Sequence, residues 1–252
     1  MAVEVRYSGT PLRVRFLERP NRYVARVRRV GGGPTFLAHV PNPGRMEELL
    51  LPGETSGYAI PVDRPERATR FDLVVVRHGR ELVSIDSRIG NRMVGAVLKA
   101  GGLTELGPGP WRPEVRFGAH RVDFACHGRE PGGSPTALIE VKCSNLRVGD
   151  TALFPDAPTV RGTAHLRLLA GASRAGIPSS VVFVIQRRGV RRFTPNAALD
   201  PGFARALQDA FRAGVRVIAQ TLRVRPDRVE WAERVAVDLG TSLVAHPPSS
   251  RE

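Results

Sequence analysis

The chain is short of several things, and each shortage excludes a class of protein. Two cysteines, Cys126 and Cys143, stand in 252 residues. They are too few for a disulfide framework or a zinc cluster, and the expected setting is a reducing cytoplasm. No long apolar run occurs. The longest, such as residues 181–185, are strand-length, far below the ~20 residues a spanning helix needs, so no membrane role is expected. Residues 1–9 lack an apolar signal-peptide core, and secretion is not expected either. There is no phosphate-binding glycine loop of the P-loop or Rossmann kind. There is no helix-turn-helix reading head and no internal repeat. Lysine is nearly missing: Lys99 and Lys142 are the only two among 38 cations.

What is present is arginine and a sizeable core. Hydrophobic residues make up 42% of the chain, which carries a net charge of +14. The length suits one large domain or two modest ones. The surplus is spread out: residues 1–85 hold 14 cations against 9 acids, and residues 86–252 hold 24 against 15. Folded surfaces rather than a basic tail therefore face an anion, and a nucleic acid is the natural one. The alternative is a generally basic surface. Arginine fills almost every cationic position, so a retained lysine points to a role that a planar, permanently charged guanidinium fills poorly. Lys142 is such a residue.

The pattern of the chain changes near residue 87. Residues 12–17, 22–30, 35–40, 71–77 and 81–85 read as short strands with alternating faces, Val14 and Phe16 on one side and Ala25 and Val27 on another. With a small helical insert at residues 45–51, they suggest a closed OB-type barrel over residues 1–86. Residues 87–239 read in the order α-β-β-β-α-β-α-β, an α/β layer structure with helices on a mixed sheet. A first helix starts near Ile89 and ends at Gly101-Gly102. Strands follow at 112–118, 120–126 and 136–143, a helix at 158–171, a strand at 181–186, a helix capped by Asp200 with Pro201 at its first position, and a strand at 215–219. Residues 240–252 read as a loose tail.

The chemical signal lies in the second half. Alternation puts Glu140 and Lys142 on one strand face and Ile139, Val141 and Cys143 on the other. In the preceding strand Asp123 falls with Arg121 and Ala125, opposite Val122, Phe124 and Cys126. If those strands are neighbours, Asp123 sits beside Glu140, and two converging carboxylates bind a hard cation such as Mg²⁺ or Mn²⁺. Such a cation activates water and polarises a phosphoryl oxygen, while Lys142 positions the water and stabilises the charge that builds up. The plainer reading is an exposed Glu/Lys cross-pair. Glu114 is either a third acid for the metal or a surface partner for an arginine.

Several separated segments resemble the sugar fermentation stimulation protein A family: residues 113–124, Ile139-Glu-Val-Lys142, residues 154–165, residues 38–46 with Asn91, and residues 182–187. The resemblance spans roughly residues 12–220. It implies an OB-like barrel joined to a PD-(D/E)xK nuclease-like domain, DNA binding, and a suspected metal-dependent nuclease activity. It carries the nuclease roles to Asp123, Glu140 and Lys142, with Glu114 as an accompanying acid. The family name implies the alternative of a non-catalytic, DNA-binding regulator of sugar metabolism genes. Three positions depart from the family pattern: His120 where serine is frequent, Gly90 where proline often precedes Asn91, and the segment Cys143-Ser-Asn-Leu146.

Further candidates surround this set. Arg161 and His165 are four apart and share a helix face; they would hold a phosphate and donate to it, or serve packing. Arg121 shares the face of Asp123 and is a candidate contact to nucleic acid. Asp156 is either a helix cap or a member of the acidic cluster. Asn91 is either a cap or a hydrogen-bond donor to the cleft. In the barrel, the turn from His39 through Asn42 to Arg45 is a candidate phosphate grip, and Arg26 and Arg28 form a basic strand face. Tyr23 and Phe36 are candidate stacking faces, with core packing the stronger expectation for Phe36. The expected partner is DNA, with RNA as the alternative and a second copy of the chain as a further candidate.

Overall fold

The computed structural model describes residues 3–107, 109–127 and 134–240. The first unit is a barrel built from β2 (Leu12–Asn21), β3 (Val24–Arg29), β4 (Thr35–His39), β5 (Ser56–Pro61) and β6 (Phe71–His78). The strands run in the order β4-β3-β2-β5-β6, and a pairing of β4 with β6 at His39 and Asp72 closes the ring. β7 (Glu81–Ser84) extends β6 as a hairpin. The alternation does its work: Val14, Phe16, Ala25, Val27 and Ala38 point inward and are fully or almost fully buried. Closure removes the sheet edges that would otherwise be open to pairing.

The insert at residues 45–51 is not a helix. Met46 sits at φ 51°, and the amides of Leu49 and Leu50 both donate to the Met46 carbonyl. The spacing of Met46, Leu49 and Leu50 imitates a helix, yet these three side chains plug the barrel as a turn.

The second unit is a seven-stranded sheet in the order β1-β16-β15-β13-β10-β9-β8. Its strands are β1 (Glu4–Arg6), β8 (Trp111–Phe117), β9 (His120–His127), β10 (Pro135–Ser144), β13 (Ser179–Ile185), β15 (Arg216–Val224) and β16 (Arg228–Arg234). The central strands β10, β13 and β15 are parallel. The helices α2 (Val160–Arg174) and α3 (Pro201–Arg212) cover one face through Leu166, Leu169, Phe203 and Leu207. The helix α1 (Arg88–Lys99) covers the other through Ile89, Met93 and Val97. A strand buried on both faces reads as a continuous apolar run, as residues 181–185 do. Asp200 caps α3 by accepting from the Phe203 amide at 2.9 Å, with Pro201 at the first helical position.

Further features differ from the sequence expectation, among them β5, which the strand pattern did not mark. β1 lies outside the barrel and pairs with β16 in the second sheet, because Val5 and Tyr7 pack into the α1 core. The stretch between the strand expected at 136–143 and the helix expected at 158–171, where no element is expected, holds β11 (Arg147–Val148) and β12 (Thr151–Phe154), which form a small sheet with β14 (Arg192–Pro195) and β17 (Ala236–Val237). Nearly all of the expected tail lies outside the described residues.

The two units are tied by buried polar groups. Arg187, 1% exposed, reaches from the end of β13 to Glu81 of the barrel hairpin and donates to His78 Nδ1 at 3.0 Å. Arg147 meets the same Glu81 at 3.1 Å. Gln186 donates to the Asp86 carbonyl at 2.6 Å, and the Ser87 hydroxyl donates to the Pro41 carbonyl at 2.7 Å. Among the described residues, no helix is long and apolar enough to cross a membrane.

Candidate active site

The site forms where β9 leaves β10. The two strands pair through Leu138 with Ala125 and Ile139 with Phe124. Beyond that point the Asp123 side chain takes the place of the ladder. Its Oδ2 accepts from the Val141 amide at 2.7 Å, and its Oδ1 accepts from Asn91 Nδ2 on α1 at 2.7 Å. The strand alternation also breaks there. Val122 and Ala125 join the core under α2 and α3, while Phe124 joins the core under α1. Gly90 makes the delivery of Asn91 possible: a Cβ at that position would lie 2.4 Å from Cys143 Sγ.

Glu140 is 2% exposed beneath α2. Its Oε1 receives both Lys142 Nζ and His165 Nδ1 in short hydrogen bonds. Its Oε2 is buried with no protein partner. Burial by itself would raise the Glu140 carboxyl, but His165 and Lys142 hold it below the ordinary value. Asp123 behaves in the opposite way: burial, then the nearby Glu140 charge, push it up to about 6. His165 is itself buried, with its ring edge-on to His120 at 5.5 Å between centroids. Thr159 caps α2 by accepting from the Gly162 amide at 3.0 Å, and Asp200 in turn accepts from the Thr159 amide at 2.8 Å. That brace fixes the helix that carries His165.

The structure thus brings Asp123, Glu140, Lys142, His165 and Asn91 together, and sets other candidates apart. Glu114 is strongly exposed, sits at φ 55°, and its carboxylate faces Arg121 at 3.6 Å. It is a surface ion-pair partner rather than a third acid of the cluster. Arg121 faces Glu114 across that surface pair and remains strongly exposed, and Arg161 stands exposed on the first turn of α2. Asp156 does not cap α2. It takes a backbone hydrogen bond from Arg45 in the barrel turn, and it approaches so closely that a Cβ on Gly44 would lie 2.1 Å from its Oδ2. Cys126 and Cys143 are not bridged to each other, and burial pushes the Cys143 thiol up to about 12, which leaves it unreactive.

The barrel candidates divide similarly. Asn42 uses its carbonyl oxygen on the Gly44 amide at 2.9 Å, so it shapes the turn. Arg19, which the sequence reading passed over, donates to four backbone carbonyls, those of Arg22, Asn42, Gly44 and Arg45. No side-chain pattern marks it, because its partners are backbone carbonyls, three of them some 25 residues away. Arg45 is exposed, Arg26 pairs with Glu18 at 2.5 Å, and Arg28 is exposed. His39 stacks near Tyr23. Phe36 packs on Phe71 against the barrel core, as its core reading expects.

Among the described residues, no three His, Cys, Asp or Glu side chains are grouped to hold a metal ion. Two carboxylates completed by water are a normal Mg²⁺ donor set, however. The orphaned Glu140 Oε2 is the acceptor such an ion requires, and each Asp123 oxygen keeps a second lone pair beyond its one hydrogen bond. The residues present fit a hard divalent cation.

Residues 88–228 match the family described as the sugar fermentation stimulation protein RE domain, and residues 17–85 match the SfsA N-terminal OB domain. The sugar fermentation stimulation protein homolog of Moorella thermoacetica is 38% identical over 230 residues, covering 90% of this chain and 97% of its own. The Chloroflexus aurantiacus homolog is 38% identical over 234 residues, with coverage of 91% and 87%. The chain belongs to the sugar fermentation stimulation protein family. The barrel is accordingly the family's OB domain, and the matched regions meet at the link between β7 and α1. A solved structure described as Pyrococcus furiosus SfsA in complex with Ca²⁺ superposes with a TM-score of 0.82 at 28% identity, covering 94% of this chain and 99% of that one.

Proposed function

We propose that this family member binds nucleic acid and hydrolyses phosphodiester bonds with a divalent cation held by Asp123 and Glu140. The observation that carries the proposal is Glu140: a fully buried carboxylate with one oxygen taken by Lys142 and His165 and the other left without a partner. Leaving such an acceptor bare is costly unless a ligand completes it. Mg²⁺ and Mn²⁺ suit the donor set, and the Ca²⁺ named for the Pyrococcus furiosus relative is a hard cation with the same preference for oxygen. When bound, the ion supplies a lowered water pKa and a polarised phosphoryl oxygen.

The chain's own groups do the rest. An ammonium has three donors; Glu140 takes one from Lys142, and the others serve the attacking water or the phosphate. His165 fixes the Glu140 carboxylate through Nδ1. Asn91 and the Val141 amide hold Asp123 from two sides. The basic surface supplies the attraction for the polyanion.

The test is cleavage of labelled single-stranded, duplex and RNA–DNA hybrid substrates with Mg²⁺, Mn²⁺ or EDTA. Glu140→Ala is expected to lose metal-dependent cleavage by about 10³-fold or more while retaining most binding. Cleavage by Glu140→Ala at the wild-type rate overturns the proposal.

One observation favours a second reading, a DNA-binding regulator without turnover. Lys142 and His165 both contact Glu140, so the acid is compensated from within, and Glu114 stands apart. Salt-sensitive binding with no cleavage of any substrate would select that reading.

A further inference from the structure

One face of the barrel carries an arrangement that the chemistry at Glu140 does not use. Along β3, Val24, Arg26 and Arg28 stand opposite His39, Leu37 and Thr35 of β4. On the other side, Arg15 of β2 stands directly opposite Arg28, and Arg29 follows next along β3. Like charges placed directly opposite each other destabilise a sheet. Among the described residues, Arg13, Arg15, Arg28 and Arg29 have no carboxylate partner, in contrast to Arg26 with its Glu18. Arg15, Arg28 and Arg29 line a cavity of about 340 Å³. Arg15 turns one nitrogen to the carbonyls of Gly53 and Glu54, at 3.2 and 2.9 Å, which neutralises none of its charge. A cation cluster without a carboxylate is complementary to a polyanion.

The far end of the same strands is aromatic. Tyr23 is 52% exposed, and its ring lies within 13° of parallel to His39, with 6.3 Å between centroids. Leu37 is 41% exposed between the two ends. The six residues of β3 span about 20 Å at the usual rise of a strand. The aromatic end adjoins the turn that Asp156 ties to the segment entering α2.

We infer that this face holds single-stranded nucleic acid, with a base stacked on Tyr23 and the phosphates running toward Arg28, Arg15 and Arg29. The inference rests on the nucleic-acid reading above and adds strandedness to it. In a duplex, both faces of each internal base are already covered, so an exposed tyrosine has nothing to stack on. An unpaired strand presents base faces and phosphates together, which is what an aromatic end and a cationic end on one sheet can take. A duplex gripped by its phosphates alone would leave Tyr23 and Leu37 in water.

The experiment is fluorescence anisotropy with the full chain in EDTA, so that cleavage plays no part. The probes are a short labelled single strand and the blunt duplex of the same sequence, with polyglutamate as competitor. Tyr23→Ala is expected to weaken single-strand binding about 10-fold, with Tyr23→Phe restoring it and duplex binding unchanged. Arg28→Ala is expected to weaken the single strand and to lower the salt slope by about one counterion. Because Tyr23 lies on the surface, its truncation removes no core packing. Equal binding of both forms with no effect of Tyr23→Ala overturns the inference. So does full displacement of the strand by polyglutamate from wild type and variant alike. If no nucleic acid binds in any form, the proposed function itself falls.

Discussion

The barrel face and the Glu140 cleft treat charge in opposite ways. On the barrel, Arg15 and Arg28 stand side by side in water without a carboxylate. In the cleft, Glu140 is sealed under α2, with one oxygen given to an ammonium and an imidazole. The difference follows from solvent. Exposed cations repel weakly at high dielectric, remain available, and gain affinity by releasing counterions from a polyanion. A buried acid must be compensated on the spot, and the compensating groups thereby acquire fixed positions. Attraction is suited to the first arrangement and geometry to the second.

The sharpest way to break this contrast is Lys142→Arg, which keeps the charge and changes its shape. A binding face would tolerate the exchange. At a buried point contact with Glu140, the planar guanidinium does not reproduce the ammonium. Metal-dependent cleavage is expected to fall about 10²-fold or more, with single-strand affinity within about two-fold of wild type. Steady-state cleavage measured beside anisotropy reads both.

The next effect is on packing. Gly90→Ala pushes a Cβ to 2.4 Å from Cys143 Sγ, and overpacking of this kind costs about 1–3 kcal/mol. Thermal unfolding should move down by roughly 2–4 °C for each kcal/mol. Adding Cys143→Ala should recover most of the loss. The structure places Gly90 and Cys143 in contact.

The smallest effect is on pH. The Asp123 carboxyl is pushed up to about 6, above its value near 4 in the unfolded chain. Between those values the folded protein holds more protons than the unfolded one, so stability without metal falls as the pH rises from about 4 to about 6. Glu140 is shifted the other way, and its contribution is lost as the pH falls. Asp123→Asn should remove the first slope and leave the second, as read from denaturant midpoints in EDTA.

Much of the fold was legible because alternation is a strong signal where one face is buried, as at Val14 and Phe16. β5 escaped because Gly57 interrupts its pattern. That glycine is required, since a Cβ there would lie 2.4 Å from the Val75 carbonyl oxygen. The acids and Lys142 were legible as a face. Two facts of the site were not: the Asp123 carboxylate stands in for a strand ladder, and Glu114 turns toward Arg121. Both depend on a local break in strand geometry that period-two reasoning assumes away. The role of Arg19 was equally out of reach, since backbone carbonyls carry no residue signature.

The buried tie at Arg187 bears on how the chain can be taken apart. Removing the barrel would strip Glu81 and His78 from a guanidinium that has almost no access to solvent. Loss of the barrel gives up this buried pair and opens the groups around it to water. The chain should melt in a single cooperative transition, and the α/β half expressed alone should be insoluble or unfolded.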